Sequence, residues 1–170
     1  MKYFDLHCDT PFELYERKTP LASGGTHITA EKVRGFEKYA QIMDIWSQND
    51  ISGQECYEKF FKICDNFTNE LDKNPQFCFC RNSVDMTKAF SEGRQPVFLG
   101  IEGGKLLCGD ISRLDTLYAA GARFFTLVWK DDCDIGGAHN TENGLTDFGR
   151  KALERLSALG MAVDLSHASD

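Results

Sequence analysis

The sequence lacks several features that mark common classes of protein. No apolar run approaches the roughly 18 to 20 residues that cross a bilayer, which predicts no membrane partner. Acidic residues outnumber basic ones and leave a net charge of -7, which argues against nucleic acid as a partner, because phosphates require a basic surface. No basic and apolar signal segment precedes MKYFDLHCD, so we expect a cytoplasmic protein.

Two sequence motifs with specific functions are also missing. The seven cysteines are irregularly spaced and include no C-x-x-C pair, the closest being Cys78 and Cys80. In a reducing compartment we expect them to be free thiols that pack as small apolar side chains. No Gly-rich phosphate loop follows the first apolar run, which argues against a dinucleotide-binding fold.

Short apolar runs alternate with longer helical patterns along the whole chain. Strands are predicted at Tyr3–His7, Gln41–Trp46, Val97–Ile101, Arg123–Trp129 and Ala162–Leu165. Ser52 and Glu55 form a capping box, and the helix behind it has one apolar stripe made of Cys56, Phe60, Ile63, Phe67 and Leu71. Further helices are predicted over Val84–Ser91, from near Asp110 to Gly121 with Leu114, Leu117 and Tyr118 inward, and from about Thr146 to Leu159.

This alternation predicts an α/β fold with a parallel sheet and crossover helices. A doubly wound sheet and a closed barrel both fit it, but residues suited to catalysis follow three different strands, which favours a (β/α)8 TIM-type barrel. The strand–helix units take about 40 residues each, so eight of them would need roughly 320 residues. We therefore expect residues 1–170 to be the N-terminal part of a single barrel domain, with about its first five units.

The first predicted strand ends in the sequence Asp5-Leu6-His7-Cys8-Asp9. Side chains alternate between the faces of a strand, so His7 and Asp9 are expected on the same face as Asp5. An imidazole nitrogen and a carboxylate oxygen two residues apart can both reach one divalent ion at about 2.0–2.2 Å. A surface turn or a buried hydrogen-bonded pair would give the same short motif.

Two later strands also end in side chains that can bind metal ions. The run Pro96 to Ile101 stops at Glu102, followed by two glycines that permit a tight turn, and its carboxylate could bridge two ions. It could instead interact with the N-terminus of a helix. The run Met161 to Leu165 leads to His167, which is either a ligand or a structural histidine.

These residues together offer two imidazoles and two carboxylates at one mouth of the predicted barrel. That set suits zinc better than magnesium or calcium, which prefer oxygen ligands alone. Trp129, at the end of the fourth predicted strand, is either a substrate platform or part of the core. His27 and His139 lie in glycine-containing loops and are expected to be solvated, as are Asp131, Asp132 and Asp134.

Four segments of the chain resemble one known family in their residues, order and spacing. The segments are Asp5-Leu6-His7-Cys8-Asp9-Thr10-Pro11, Gly100-Ile101-Glu102-Gly103-Gly104, Gly144-Leu145-Thr146-Asp147-Phe148-Gly149 and Val163-Asp164-Leu165-Ser166-His167-Ala168-Ser169-Asp170. They are similar to the membrane (renal) dipeptidases of peptidase family M19. This resemblance runs over the whole chain.

The resemblance implies a metallo-dipeptidase with two zinc ions in a (β/α)8 barrel. His7 and Asp9 would hold one ion, His167 the other, and the catalytic Glu102 would bridge both. A water or hydroxide between the ions would attack the peptide bond of a dipeptide, often one with a D-residue at its C-terminal position. Members of the family commonly form homodimers.

Parts of the family pattern lie elsewhere or differ in this sequence. Another zinc-binding histidine, a substrate-binding arginine and a catalytic aspartate would all lie past residue 170, so residues 1–170 alone are expected to be inactive. Trp129 stands where the animal enzymes have a substrate-contacting histidine, and we expect it to bind substrate. The start of the sequence resembles that of cytoplasmic bacterial members. Another metal-dependent amidohydrolase barrel and a non-catalytic ligand-binding barrel remain as alternatives.

Overall fold

The computed structural model describes residues 1–170 as an α/β fold with six strands and six α-helices. The strands are β1 (Lys2–Asp5), β2 (Lys38–Trp46), β3 (Phe77–Phe79), β4 (Gln95–Glu102), β5 (Ala122–Thr126) and β6 (Ala162–Asp164). The helices are α1 (Thr10–Arg17), α2 (Ala30–Val33), α3 (Gly53–Asp72), α4 (Ser83–Ser91), α5 (Arg113–Ala120) and α6 (Asp147–Leu159), and a short 3-10 helix covers Gly104–Leu107. None of the helices is both long enough and apolar enough to cross a membrane.

The strands form one sheet in the order β1-β2-β4-β5-β6, with β3 paired to β4. The pairs β1–β2, β3–β4 and β5–β6 are parallel, as predicted. Tertiary contacts group the residues into two compact units. The first comprises Met1–Ile45 and Lys62–Leu99, and the second comprises Trp46–Phe61 and Gly100–Asp170.

The helical predictions agree closely with the structure because their signals are local. The Ser52 backbone N–H donates to the Glu55 carboxylate at 2.8 Å, and the Glu55 N–H donates back to the Ser52 hydroxyl at 3.2 Å, which completes the capping box. All five residues of the apolar stripe in α3 are buried. The Thr146 hydroxyl caps α6, which ends at Gly160 in the left-handed conformation.

Several predicted boundaries and elements differ from the structure. The predicted strands Tyr3–His7 and Arg123–Trp129 end earlier, at Asp5 and Thr126. The three-residue strand β3 and the helices α1 and α2 were not predicted, and β3 and α2 are too short to show a periodicity. Tyr118 is only partly buried, since its ring lies 3.8 Å from the Arg123 guanidinium instead of in the core.

Candidate metal centre

His7 and Asp9 lie in the segment between β1 and α1. The prediction placed them on the first strand, but this strand ends at Asp5 and the chain turns into α1 immediately after Asp9. Pro11 fits the first turn of α1, where its missing N–H is not needed. Asp9 stands at the N-terminal cap position without capping the helix through its side chain.

The side chains of His7 and Asp9 face each other as a pair. His7 Nε2 lies 3.6 Å from Asp9 Oδ1, and both side chains are about half exposed. Two donor atoms at this distance could each reach the same ion at about 2.1 Å. Between them, burial raises the pKa of the Cys8 thiol to about 12, so Cys8 is not expected to supply a thiolate.

Asp44 is a member of this cluster that the sequence analysis missed. Its side chain in β2 is only 4% exposed, and its Oδ2 atom lies 3.1 Å from His7 Nδ1. Its backbone N–H also donates to the Cys8 carbonyl at 2.8 Å. The sequence feature that could have revealed Asp44 is a carboxylate within the apolar run Ile42-Met43-Asp44-Ile45, because a buried charge needs a partner.

In the second unit, Glu102 and His167 form another pair. Glu102 is the last residue of β4 and is buried, and its Oε1 atom lies 3.2 Å from Nε2 of the more exposed His167. His167 follows β6 with a φ of +67°, an uncommon backbone conformation for a residue with a side chain. The two residues, 65 positions apart in sequence, thus meet as a carboxylate–imidazole pair.

Trp129 packs beside this second pair. Its ring centroid lies 4.7 Å from that of Trp46 in an edge-on arrangement and 6.4 Å from the His167 ring. Gly103 has a φ of +92°, and a Cβ atom there would lie 3.4 Å from the Trp129 Cβ. That distance is an ordinary van der Waals contact, so it is the positive φ at position 103, and not crowding by Trp129, that favours glycine there.

A cavity of about 260 Å³ opens next to Trp129. Its lining residues are Ser47, Asn49, Gly103, Gly104, Lys105, Trp129, Asp131, Asp132, Cys133 and Asp134. The Lys105 ammonium donates to the backbone carbonyls of Gln48 and Asn49 at 3.2 and 3.0 Å. The cavity therefore combines an aromatic wall, acidic side chains and a lysine that is held by the backbone.

The acidic loop on this cavity is organised by Asp132. Its carboxylate accepts hydrogen bonds from the Asn143 amide at 2.7 Å, the Ala138 N–H at 2.8 Å and the Thr141 hydroxyl at 2.8 Å. These donors, the Asn143 amide first, hold the pKa of Asp132 below its usual range. Asp131 and Asp132 are exposed, as expected, yet Asp132 also fixes the shape of its loop.

Both loop histidines are exposed, as predicted, but each lies close to one of the pairs. The His139 ring centroid is 6.0 Å from that of His167, and the His139 N–H donates to the His167 carbonyl at 2.8 Å. His27 and Asp9 line the same small cavity of about 90 Å³. Sequence spacing alone does not reveal either proximity, because both arise from the folding of loops.

The solved structures that match the chain include those of several dipeptidases. Dipeptidase AC, a metallopeptidase of family M19, is 18% identical with a TM-score of 0.89, and the match covers 100% of this chain and 57% of that one. A metallopeptidase from Rhodobacter sphaeroides, solved with a phosphinate mimic of the dipeptide L-Ala-D-Ala, is 19% identical with a TM-score of 0.86 over 100% and 60%. The probable dipeptidase PvdM of Pseudomonas aeruginosa is 19% identical with a TM-score of 0.81 over 98% and 47%.

These matches show the fold of the chain, and a sequence profile shows its family. At such identities they confirm the predicted partial (β/α)8 barrel, while the chain spans 47% to 60% of the length of these structures. The sequence profile described as membrane dipeptidase, peptidase family M19, matches residues 1–170. The chain therefore belongs to the membrane dipeptidase family, peptidase family M19.

Proposed function

We propose that the protein is a zinc-dependent dipeptidase. The observation that carries this proposal is the family match over all 170 residues. Two carboxylate–imidazole pairs support it, with donor atoms 3.6 Å apart in the first unit and 3.2 Å apart in the second. Both pairs follow the carboxyl ends of parallel strands, which is where barrel enzymes place their active sites.

In this proposal His7 and Asp9 would hold one zinc ion and His167 would hold a second. Glu102 would be the carboxylate that the two ions share. Imidazole and carboxylate ligands suit zinc, and each pair has a spacing that one ion can span. Bound zinc would supply an activated bridging water or hydroxide for the attack and would polarise the peptide carbonyl.

The residues of the chain itself would then position ligands and substrate. Burial of Glu102 limits its motion, so its carboxylate is held at the end of β4. Trp129 is proposed to bind the dipeptide, because it is only partly buried and forms one wall of the 260 Å³ cavity. Gly103, which directly follows Glu102, also lines this cavity.

Dipeptides are the proposed substrates, including those with a D-residue at the C-terminal position. The structural match solved with a mimic of L-Ala-D-Ala supports L-Ala-D-Ala as the first substrate to test. We further propose that residues 1–170 form part of one barrel domain and are inactive alone, since the remaining family ligands would lie past residue 170. A homodimer and a cytoplasmic location remain predictions.

The decisive experiment is metal analysis combined with hydrolysis of L-Ala-D-Ala by the full-length protein. We expect about two zinc ions per chain, loss of activity on chelation and recovery on addition of zinc. A protein that is purified without zinc and is not activated by it would contradict the proposal and favour a non-catalytic binding barrel. Zinc-dependent hydrolysis of other amides, but not of dipeptides, would favour a different amidohydrolase.

A further inference from the structure

Asp164, the last residue of β6, accepts hydrogen bonds on both oxygens of its carboxylate. The N–H and the hydroxyl of Ser166 donate to Oδ1 at 2.9 and 2.8 Å. The hydroxyl of Thr126 donates to Oδ2 at 3.0 Å, which the sheet register permits because Thr126 of β5 pairs with Asp164. One side chain thus joins the turn that follows β6 to the neighbouring strand.

That turn holds His167 in a conformation that needs restraint. The Ala168 N–H donates to the Leu165 carbonyl at 3.1 Å, so His167 is the third residue of a four-residue turn, with a φ of +67°. A positive φ is uncommon for a residue with a side chain, and it persists only where the surrounding contacts fix it. The two hydrogen bonds from Ser166 to Asp164 are such contacts, because they fix the residue directly before His167.

Thr126 connects this turn to the strand end that carries Glu102. It is only 2% exposed, and while its hydroxyl donates to Asp164, its backbone carbonyl accepts the Gly103 N–H at 3.1 Å. Gly103 directly follows Glu102, whose Oε1 atom lies 3.2 Å from His167 Nε2. A chain of hydrogen bonds therefore runs from the backbone beside Glu102 to the turn that carries His167.

We propose that Asp164 and Thr126 are positioning residues that set the separation between the Glu102 carboxylate and the His167 imidazole. Neither of them would touch a metal ion or the substrate. Residues that orient metal ligands commonly contribute 10- to 100-fold to metal affinity, and we expect the lower value because these two act through the main chain. The part that concerns metal rests on the proposed function, whereas the geometry of the Glu102–His167 pair does not.

The first measurement compares crystal structures of the full-length, metal-free wild type, Thr126→Val and Thr126→Ser. Valine keeps the branched shape but removes the hydroxyl, so Asp164 Oδ2 loses its donor, whereas serine keeps the hydroxyl. We expect the contact between Glu102 Oε1 and His167 Nε2 in the wild type and in Thr126→Ser, and a separation beyond about 3.5 Å in Thr126→Val. An unchanged separation in Thr126→Val would overturn the proposal, whether or not the protein binds zinc.

The second measurement is zinc affinity in the full-length protein, by competition with a chelator. We expect Thr126→Val to lower it by about 10-fold and Thr126→Ser to restore it. Asp164→Ala, which removes all three hydrogen bonds to the carboxylate, should lower it at least as much.

The matched control is Thr29→Val, the same substitution at a threonine that is also 2% exposed. The Thr29 hydroxyl accepts the Lys32 N–H at 3.2 Å and caps helix α2 in the first unit. Thr29→Val therefore also removes a buried hydroxyl with a hydrogen bond, but it should leave zinc affinity unchanged.

The outcomes separate this proposal from that of the dipeptidase. A wild-type protein that binds no zinc would overturn the dipeptidase proposal, and the crystal structures would still decide whether Thr126 and Asp164 set the pair. Equal zinc losses in Thr126→Val and Thr29→Val, or a loss in Thr126→Ser as large as in Thr126→Val, would overturn the positioning role and leave the dipeptidase proposal intact.

Discussion

The two carboxylate–imidazole pairs are fixed by opposite means. In the first unit, His7 and Asp9 are both about half exposed, and the buried carboxylate of a third residue, Asp44, lies 3.1 Å from the histidine ring. In the second unit the carboxylate itself is buried, and the backbone restrains His167 through its positive φ and the hydrogen bond from His139. One pair thus has a buried third side chain next to its histidine, and the other is restrained by burial and main-chain geometry.

The largest expected effect is that of removing the proposed bridge. Glu102→Gln in the full-length protein should abolish dipeptide hydrolysis and lower zinc well below about one ion per chain, because a bridging carboxylate serves both ions. Asp9→Asn should also inactivate the protein, but it should leave about one zinc ion, because Asp9 serves one. Activity assays and elemental analysis measure both quantities.

The control for this comparison is Glu154→Gln, which neutralises an exposed glutamate in the same unit as Glu102. It should keep both zinc and activity. Glu102→Gln with activity at wild-type metal content would contradict the bridging assignment. Equal zinc losses in Glu102→Gln and Asp9→Asn would contradict the proposal that Glu102 serves two ions and Asp9 only one.

A smaller effect is expected from the backbone next to the second pair. Gly103→Ala should lower the free energy of unfolding by about 1 to 2 kcal/mol, because φ is +92°, a backbone conformation that is strained for alanine. Gly144→Ala is the matched control, since φ is not positive there and nothing lies within 4 Å of an added Cβ. Urea unfolding measures both, and equal stability of the two variants would show that the backbone is not restrained at Gly103.

The smallest expected effect concerns the loop at the cavity. The pKa of Asp132 lies below its usual range, so its contribution to stability is present above the usual aspartate pKa and is lost as the pH falls through the lowered value. Asp132→Asn should therefore lower the melting temperature at neutral pH, and the difference from wild type should shrink in acid.

Asp134→Asn is the control for this loop, because Asp134 is equally exposed and its side chain accepts no hydrogen bond from the protein. It should have little effect on the melting temperature at either pH. A pH-independent difference between Asp132→Asn and wild type would show that the charge of Asp132 does not stabilise the loop.

Much of the fold was predictable because its signals are local. The stripe of α3, the capping box at Ser52 and the end of α6 at Gly160 each depend on residues within a few turns of one another. The predicted ends of β1 and β5 were too late in the sequence. The start of α1, which contains a proline, ends β1 early, and a loop ends β5 before its apolar run stops.

The candidate residues illustrate the same division. His7, Asp9, Glu102 and His167 were found because each follows an apolar run, the sequence pattern of a strand end. The sequence by itself thus determined the fold class and the types of donor available. Only the tertiary structure decided that Asp44 contacts His7 and that His139 lies beside His167, because strand register and loop paths set those contacts.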